Sequence, residues 1–335
     1  MTATPLLAVR DLRVVFPRNG SAAAAVDTVS FDLAPGECIA IVGESGSGKS
    51  MICQAVIRLV PEPGRIDDGH VFFDGTDLLT CSSRHLRRIR GGEVGMVFQD
   101  PSSTLNPLFT VGRQLTDVIR QHWSCSRKTA RVRAEEVLGH VGFPDARTRM
   151  KAYPGELSGG LRQRVSIAMA LSCRPKLVIC DEPTTNLDVS IQAQIIELLR
   201  GLKDEFGFSI IFVTHDIGLT PHIADRILVL YAGHAVEEGP VRDVLDRPAH
   251  PYTIGLLRSA PSLLSRRGQH LPTIPGVVPP LGQLLPGAPF AGRCPVAIAG
   301  VCDVSEPGWS DAGPGHRVAC HRFAREGRAG TAWVQ

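Results

Sequence analysis

The sequence predicts an α/β fold, in which a largely parallel sheet carries packed helices and is followed by a small irregular C-terminal module. Short apolar runs alternate with segments of helical periodicity from about residue 8 to residue 260, a pattern typical of a parallel sheet covered by helices. One of these runs, residues 38–42, leads directly into a glycine-rich sequence that ends in lysine and serine. Beyond about residue 260, prolines become frequent and regular periodicity stops, which excludes long helices there.

Length and composition indicate a globular protein of about two domains, which we place at residues 1–260 and 261–335. Hydrophobic residues make up 43% and charged residues 21% of the chain, a balance that excludes a disordered protein. The formal net charge of +3 is too small to indicate a nucleic-acid partner. Basic runs at 84–90 and 127–133 lack interleaved aromatic residues, so we interpret them as solvated helix faces.

The sequence shows no segment that could enter a membrane by itself. No apolar run approaches the ~18 residues that a bilayer-spanning helix needs. The N-terminal segment is interrupted by Arg10, Asp11 and Arg13, and it therefore does not resemble a signal peptide. We expect any membrane role to work through partner chains.

The individual elements follow from local patterns. A helix is predicted from Ser50 to about Val60, where Pro61 and Pro63 end it. The region from about 111 to 141 is predicted to be helical, and further helices are predicted at 164–171 and 191–203. Strands are predicted at 8–16, 29–33, 37–42, 71–73, 94–98, 177–180, 210–213 and 227–231.

The glycine-rich sequence after residues 38–42 is a complete phosphate-binding loop, G-x-x-x-x-G-K-[ST], between a predicted strand and a predicted helix. Its backbone N–H groups can converge on a phosphate at a helix N-terminus. Lys49 supplies a charge for the β- and γ-phosphates, and the Ser50 hydroxyl can coordinate Mg²⁺. The sequence therefore predicts a nucleoside triphosphate site formed by Gly43, Glu44, Ser45, Gly46, Ser47, Gly48, Lys49 and Ser50.

A second candidate element is a pair of carboxylates, Asp181 and Glu182, directly after the apolar run 177–180. A buried strand that ends in aspartate can deliver a carboxylate to the Mg²⁺ shell beside Ser50. Glu182, one residue later, can polarise the attacking water. The alternative is a strand that merely ends in acidic loop residues.

The third element is the turn formed by Ser158, Gly159 and Gly160 before the helix 164–171. Ser158 is a suitable N-cap, and the two glycines would let backbone amides approach a phosphate closely. By itself this could be only a capped helix. In combination with the other two elements, it resembles the LSGGQ-type signature of ABC ATPases.

The resemblance to ABC ATPases extends over most of the chain and implies roles for further residues. Gln99 matches the Q-loop glutamine at the metal–water site, Asp188 the D-loop, and His215 the histidine that contacts the γ-phosphate. Phe16 lies where the family places an aromatic ring on adenine. The resemblance implies a P-loop NTPase fold of the ABC nucleotide-binding type, with a mixed sheet core and a helical subdomain at about 106–172. It also implies ATP and Mg²⁺ as ligands.

Within ABC ATPases, the sequence most resembles the ATP-binding subunits of dipeptide/oligopeptide importers. The motifs lie at 99–101, 105–107 and 153–154 in the nucleotide domain, and at 250–253, 274–280 and 293–295 beyond it. The resemblance implies an ATPase that powers peptide transport from the cytoplasmic face of the cell membrane. It implies two integral-membrane permease subunits, a second ABC ATPase subunit in a heterodimer, and an extracytoplasmic solute-binding protein.

Other functions remain open from the sequence. The same ATPase could serve the import of nickel, glutathione or another small solute, because specificity in such transporters lies in other subunits. A soluble ABC ATPase of DNA repair, chromosome organisation or translation usually carries two cassettes or a long coiled-coil insertion, and neither is present here. A metal or redox sensor with a residual nucleotide domain is disfavoured by the presence of Glu182 and His215.

The nine cysteines divide into two groups. Six are scattered or lie in apolar runs and are interpreted as buried thiols. The other three are Cys294, Cys302 and Cys320. Related importer subunits carry Gly-Cys-x-Phe-x-x-Arg-Cys where this chain has Ala288 in place of the first cysteine, and they resemble proteins in which four such cysteines hold a [4Fe–4S] cluster.

Because Ala288 cannot be a ligand, three outcomes are open for this cysteine group. Three thiolates could hold a cluster with His316, His321 or solvent at the fourth iron, or they could form a Cys₃His zinc site. The third outcome is that no metal binds. We expect a retained metal site, since a proline-rich segment with little core of its own would gain stability from a metal crosslink.

Overall fold

The computed structural model describes residues 4–18, 20–260 and 273–327. The predicted start of the C-terminal module, residue 261, therefore lies outside the described residues. The strands are β1 (Leu7–Arg18), β2 (Ser21–Leu33), β3 (Cys38–Val42), β4 (Arg65–Phe73), β5 (Thr76–Asp77), β6 (Val94–Val97), β7 (Leu177–Asp181), β8 (Ser209–Thr214), β9 (Arg226–Tyr231), β10 (His234–Pro240), β11 (Trp309–Gly313) and β12 (His316–Ala319).

Helices account for most of the remaining regular structure. None of them, over the ranges described, is long and apolar enough to span a bilayer. They are α1 (Lys49–Val56), α2 (Ser83–Ile89), α3 (Pro101–Thr104), α4 (Val111–His122), α5 (Arg127–His140), α6 (Ala146–Arg149), α7 (Gly159–Leu171), α8 (Val189–Phe206), α9 (Val241–Asp246), α10 (Pro251–Ser259) and α11 (His321–Glu326).

The chain divides into two compact units, each built from several segments. The first unit contains residues 34–38 and 80–213, together with the N-terminal residue 4. The second unit contains the described parts of 5–33, 39–79 and 214–335.

In the first unit, three parallel strands support a group of helices. β7 pairs in parallel with β6 and with β8, and every residue of β7 and β8 is buried. The region predicted to be helical from about 111 to 141 forms two helices, α4 and α5. The break has a local cause, because Ser126 adopts an extended backbone and its hydroxyl accepts the N–H of Thr129 as the N-cap of α5.

In the second unit, β1 pairs antiparallel with β2 and β4, and β4 with β5. A separate set of strands runs in the order β11-β12-β10-β9-β3, with β3 and β9 parallel and the other pairs antiparallel. All five residues of β3 are buried, which explains its uninterrupted apolar sequence. The glycine-rich loop leaves the carboxyl end of this strand.

The C-terminal residues are more regular than the sequence predicted. β11 and β12 form an antiparallel hairpin, and β12 pairs with β10 through Glu237 opposite Val318. The expectation of an irregular module missed these strands, because both are short and carry glycine or charged residues. β12 gains its second hydrogen-bonding neighbour from β10, a strand that the sequence analysis also did not predict, and β11 pairs with β12 alone.

A buried carboxylate on β10 joins three parts of the second unit. The side chain of Glu237 is fully buried, and Oε1 accepts the N–H of Ala249 at 2.7 Å and lies 2.7 Å from His316 Nε2. Its Oε2 accepts the N–H of His250 at 2.9 Å. This one side chain therefore fixes the start of α10 and the strand β12.

Glu237→Gln should destabilise the fold by about 2 kcal/mol, since an amide offers only one acceptor oxygen and leaves a buried donor unpaired. The free energy of unfolding in urea would measure the loss. Glu326→Gln, at a partly exposed glutamate paired with Arg322, is the matched control and should change stability by less than about 0.5 kcal/mol. Equal effects of the two substitutions would contradict the role given to Glu237.

Candidate active site

The phosphate-binding loop joins β3 to α1 in the second unit, as its sequence predicted. A Cβ atom added at Gly43 would lie 2.2 Å from the carbonyl oxygen of Leu230, and one at Gly48 would lie 2.4 Å from that of Ala25. Gly48 also has a φ of 99° as the N-cap of α1. Neighbouring backbone thus occupies the space that a side chain would need, and only glycine allows the loop to curl this tightly.

Two side chains of the loop provide groups that suit a phosphate. Lys49 is 4% exposed, and its Nζ donates to the carbonyl oxygens of Gly43 at 2.8 Å and Glu44 at 2.9 Å. The Ser47 hydroxyl is buried and has no hydrogen-bond partner among the described residues. A buried hydroxyl and a lysine at a helix N-terminus fit an anionic ligand, so this loop fits the triphosphate of ATP. Ser50, partly exposed in the first turn of α1, is the residue that would reach Mg²⁺.

The other predicted residues of the second unit lie outside the loop. His215 is exposed just before a short 3₁₀ helix that begins at Ile217. Phe16 is half-buried on β1, and its ring lies against Gly64, where an added Cβ would come within 2.5 Å of Phe16 Cζ. An aromatic ring packed on glycine keeps a fixed position, as a platform for a planar ligand requires.

In the first unit, the structure brings Gln99 and Glu182 together. Glu182 follows β7 with a φ of 47°, and its N–H donates to the carbonyl of Val213 at 3.1 Å. Its Oε2 accepts from Gln99 Nε2 at 3.1 Å and from Thr185 Oγ1 at 2.9 Å. Asp181, the last residue of β7, is 4% exposed. The two donors fix the orientation of the Glu182 carboxylate, on a backbone in the left-handed region.

The turn at Ser158, Gly159 and Gly160 also lies in the first unit and is largely exposed. Ser158 caps α7 by accepting the N–H of Leu161 at 3.4 Å. Both glycines lie close to the start of α8. A Cβ added at Gly160 would lie 3.1 Å from Ile191 Cγ2 on the helix, and one added at Gly159 would lie 3.6 Å from Leu187 Cδ2 just before it. The first turn of α7 therefore presents backbone N–H groups at an accessible surface.

Asp188 lies beside this turn as the N-cap of α8. Its Oδ1 accepts the Ser190 hydroxyl and the Ile191 N–H at 3.0 Å, and these hydrogen bonds lower its pKa. The adjacent Val189 is 82% exposed, which is unusual for a large apolar side chain on a helix. The exposed turn and the exposed valine together form a surface suited to contact with another chain.

The expectation of a metal at Cys294, Cys302 and Cys320 is not supported. Within residues 4–18, 20–260 and 273–327, no group of three or more His, Cys, Asp and Glu side chains is placed to hold a metal ion. Burial raises the pKa of the Cys294 thiol to about 11, with Cys320 and Cys302 adding to the shift.

Both histidines considered as a fourth ligand have other partners. His316 lies 2.7 Å from the carboxylate of Glu237, and His321 Nε2 donates to the carbonyl of Ser305 at 2.8 Å. Ala288 donates its N–H to the carbonyl of Cys302 at 2.8 Å and supplies no ligand. The residues present do not fit an iron–sulfur cluster or a Cys₃His zinc site.

Two residues that contact the phosphate-binding loop were missed by sequence reasoning. Tyr252 Oη accepts the N–H of Glu44 at 2.8 Å, and Arg293 forms an ion pair with the Glu44 carboxylate. Both lie in the tail motifs at 250–253 and 293–295, but the motifs alone give no indication of what they touch.

Comparisons with known proteins identify the family of the chain. Residues 26–185 match the family described as ABC transporter, and residues 236–302 match the oligopeptide/dipeptide transporter C-terminal region. The dimeric post-hydrolysis ATP-binding cassette MJ0796, bound to ADP and Pi, superposes with a TM-score of 0.64 at 28% identity over 70% of this chain and 99% of that one. CbiO1 from Clostridium perfringens, part of the ABC transporter complex cbiONQ, gives a TM-score of 0.63 at 27% identity over 72% and 91%.

Curated relatives are similar over nearly the whole chain. A putative peptide import ATP-binding protein of Brucella melitensis is 46% identical over 96% of this chain and 98% of its own length. The oligopeptide transport ATP-binding protein OppD of Bacillus subtilis is 48% identical over 88% of this chain and 83% of its own length. With a phosphate-binding loop, an ordered pair of carboxylates and a matching C-terminal region, the chain belongs to the ABC transporter family, among the ATP-binding subunits of the oligopeptide/dipeptide type.

Proposed function

We propose that this chain binds and hydrolyses ATP to power the import of peptides across a membrane. The observation that carries the proposal is the 46% identity to a peptide import ATP-binding protein over 96% of the chain, including the C-terminal region. Import of nickel, glutathione or another small solute is the alternative within the same role. Peptides are favoured because the relatives named above are described by peptide transport.

The loop residues perform the binding part of this function. The backbone N–H groups of the loop surround the phosphates, Lys49 holds the β- and γ-phosphates, and Ser50 and Asp181 anchor the Mg²⁺ shell. Bound Mg²⁺ supplies positive charge that neutralises the phosphate oxygens. Phe16 offers its ring to adenine, with its position fixed by Gly64.

Hydrolysis needs a water held in line with the γ-phosphate and a group that accepts its proton. Glu182 is suited to accept that proton, because Gln99 and Thr185 hold one of its oxygens and thereby set the direction of the carboxylate. Gln99, which donates to this carboxylate, would hold the attacking water beside the Mg²⁺ shell. His215 contacts the γ-phosphate and reports its presence.

The exposed turn at Ser158, Gly159 and Gly160 serves a nucleotide bound by a second ATPase chain. In such a pair, each ATP lies between the phosphate loop of one chain and this turn of the other, and Asp188 lies at the contact. Exposure of the turn and of Val189 supports that arrangement. We propose a heterodimer with a second ABC ATPase subunit.

The assembly is completed by two integral-membrane permease subunits and an extracytoplasmic solute-binding protein, with this chain at the cytoplasmic face. In the helical region of the first unit, Leu108 is 78% exposed and Tyr153 is 45% exposed. Large exposed apolar side chains of this kind are suited to a protein contact, and we propose that they meet a permease.

The isolated chain should be a poor ATPase, because one cassette contributes only half of each composite site. Co-expression with the second ATPase and the permeases should yield a complex whose ATPase rate exceeds that of the single chain by about tenfold or more. Co-purification, sizing and phosphate release would measure this. A fully active soluble monomer would refute the assembly, and uptake of nickel or glutathione instead of peptides by reconstituted vesicles would refute the substrate.

A further inference from the structure

Glu44, the second residue of the phosphate-binding loop, forms a bidentate ion pair with a distant residue of the C-terminal region. Arg293 Nη1 donates to Glu44 Oε2 at 2.7 Å, and Nη2 donates to Oε1 at 3.1 Å. The Arg293 side chain is 7% exposed and that of Glu44 30% exposed. A parallel, two-bond arrangement between a guanidinium and a carboxylate fixes both groups in direction as well as distance.

Arg293 is itself held by the surrounding chain, so it can act as a fixed point. Its Nε donates to the carbonyl of Pro275 at 2.7 Å, and Nη2 lies 3.4 Å from the carbonyl of Ile274 and 3.3 Å from that of Gly276. Burial disfavours the charge on Arg293, but hydrogen bonds to Glu44 and Tyr231 outweigh it and place its pKa above the ordinary value. The guanidinium therefore remains charged and in one orientation.

The backbone of Glu44 is hydrogen-bonded as well. Its N–H donates to Oη of Tyr252, a fully buried residue of α10, at 2.8 Å. Tyr252 packs in an aromatic group with Tyr231 and Phe290, whose ring centroids lie 4.8 Å and 5.2 Å away. The carbonyl of Glu44 accepts from Lys49 Nζ at 2.9 Å. Two contacts, the ion pair and the Lys49 hydrogen bond, thus connect Arg293 through Glu44 to the lysine of the phosphate loop.

The charge of Glu44 gives this connection a consequence for nucleotide binding. A carboxylate on a loop that surrounds a triphosphate would repel the phosphates if it were unpaired. Arg293 neutralises that charge and holds the carboxylate in one orientation. We propose that Arg293 is a positioning residue of the ATP site, through which the C-terminal region sets the affinity of the phosphate-binding loop for nucleotide. This inference rests on the proposed function, since it assumes that the loop binds ATP.

Replacing Arg293 with glutamine in the full-length chain should raise the Kd for Mg²⁺–ATP about tenfold, or about 1.4 kcal/mol. Adding Glu44→Gln to that variant should return the Kd to within about threefold of the wild-type value, because the unpaired charge is then removed. Competition with a fluorescent ATP analogue measures both values. In the assembled transporter, Arg293→Gln should raise the KM for ATP and leave kcat unchanged, whereas a merely structural role would reduce the amount of active protein.

Arg247→Ala is the matched control, since Arg247 forms an exposed ion pair with Asp243 on α9 and should leave the Kd unchanged. If Arg293→Gln fails to fold, Arg293→Lys provides the second measurement, with an expected rise in Kd of about threefold because lysine cannot form the bidentate pair. An unchanged Kd in the folded Arg293 variant, or a double variant that binds no better than Arg293→Gln, overturns the inference. A wild-type chain that does not bind ATP overturns the proposed function instead.

Discussion

Glu182→Gln should stop ATP turnover while leaving ATP binding nearly intact. Glutamine keeps the shape of the side chain and an oxygen that can accept from Gln99 and Thr185, so the local structure is retained. It cannot accept a proton from water, and the loss of a general base typically costs about 10²–10⁴-fold in rate. Phosphate release by the assembled transporter at saturating ATP would measure the effect.

Another glutamate in the same unit provides the control for this experiment. Glu205 on α8 is 56% exposed and lies 3.7 Å from His140, so Glu205→Gln makes the same chemical change away from the proposed site. Its turnover should match the wild type. A near wild-type rate in Glu182→Gln would show that another group accepts the proton, and a parallel loss of ATP affinity would place Glu182 among the binding groups instead.

The sequence predicted those parts of the fold in which short-range patterns determine the structure. β3, β7 and β8 are buried along their whole length, so each is visible as an apolar run. The phosphate-binding loop is similarly local, because the glycines, the lysine and the helix start are consecutive. β10 and β12 lack such an apolar run, because their sequences, HAVEEGP and HRVA, carry charged or polar residues, and neither strand was predicted.

The contacts that hold the C-terminal region in place could not be predicted from the sequence, because their partners are far apart along the chain. Arg293 and Glu44 are separated by 249 residues, and His316 and Glu237 by 79. Neither pair follows from periodicity or spacing. The same limitation applies to the cysteines, for which the expected metal site is not supported. The composition of the proline-rich C-terminal segment predicts that a metal stabilises it. In the structure, ion pairs, an aromatic group and a strand hairpin connect this segment to the rest of the second unit.

Lys49→Ala should strongly weaken ATP binding, in contrast to Glu182→Gln. The Lys49 ammonium is buried, and it is held above the loop by the carbonyl oxygens of Gly43 and Glu44. Truncating one partner of a buried, hydrogen-bonded charge pair typically costs about 2–5 kcal/mol. At about 1.4 kcal/mol per tenfold change, the loss of affinity should exceed about thirtyfold.

Replacing a lysine elsewhere on the chain distinguishes a specific loss of nucleotide affinity from the effect of removing a positive charge. Lys176 is half-exposed and pairs with Glu93 at 3.1 Å, so Lys176→Ala removes the same ammonium group without touching the loop and should leave the Kd unchanged. Thermal unfolding without nucleotide should be similar for the two variants, whereas added Mg²⁺–ATP should raise the Tm of Lys176→Ala and not that of Lys49→Ala. A nucleotide-dependent rise in Tm for Lys49→Ala would mean that the loop binds phosphate through its backbone N–H groups alone.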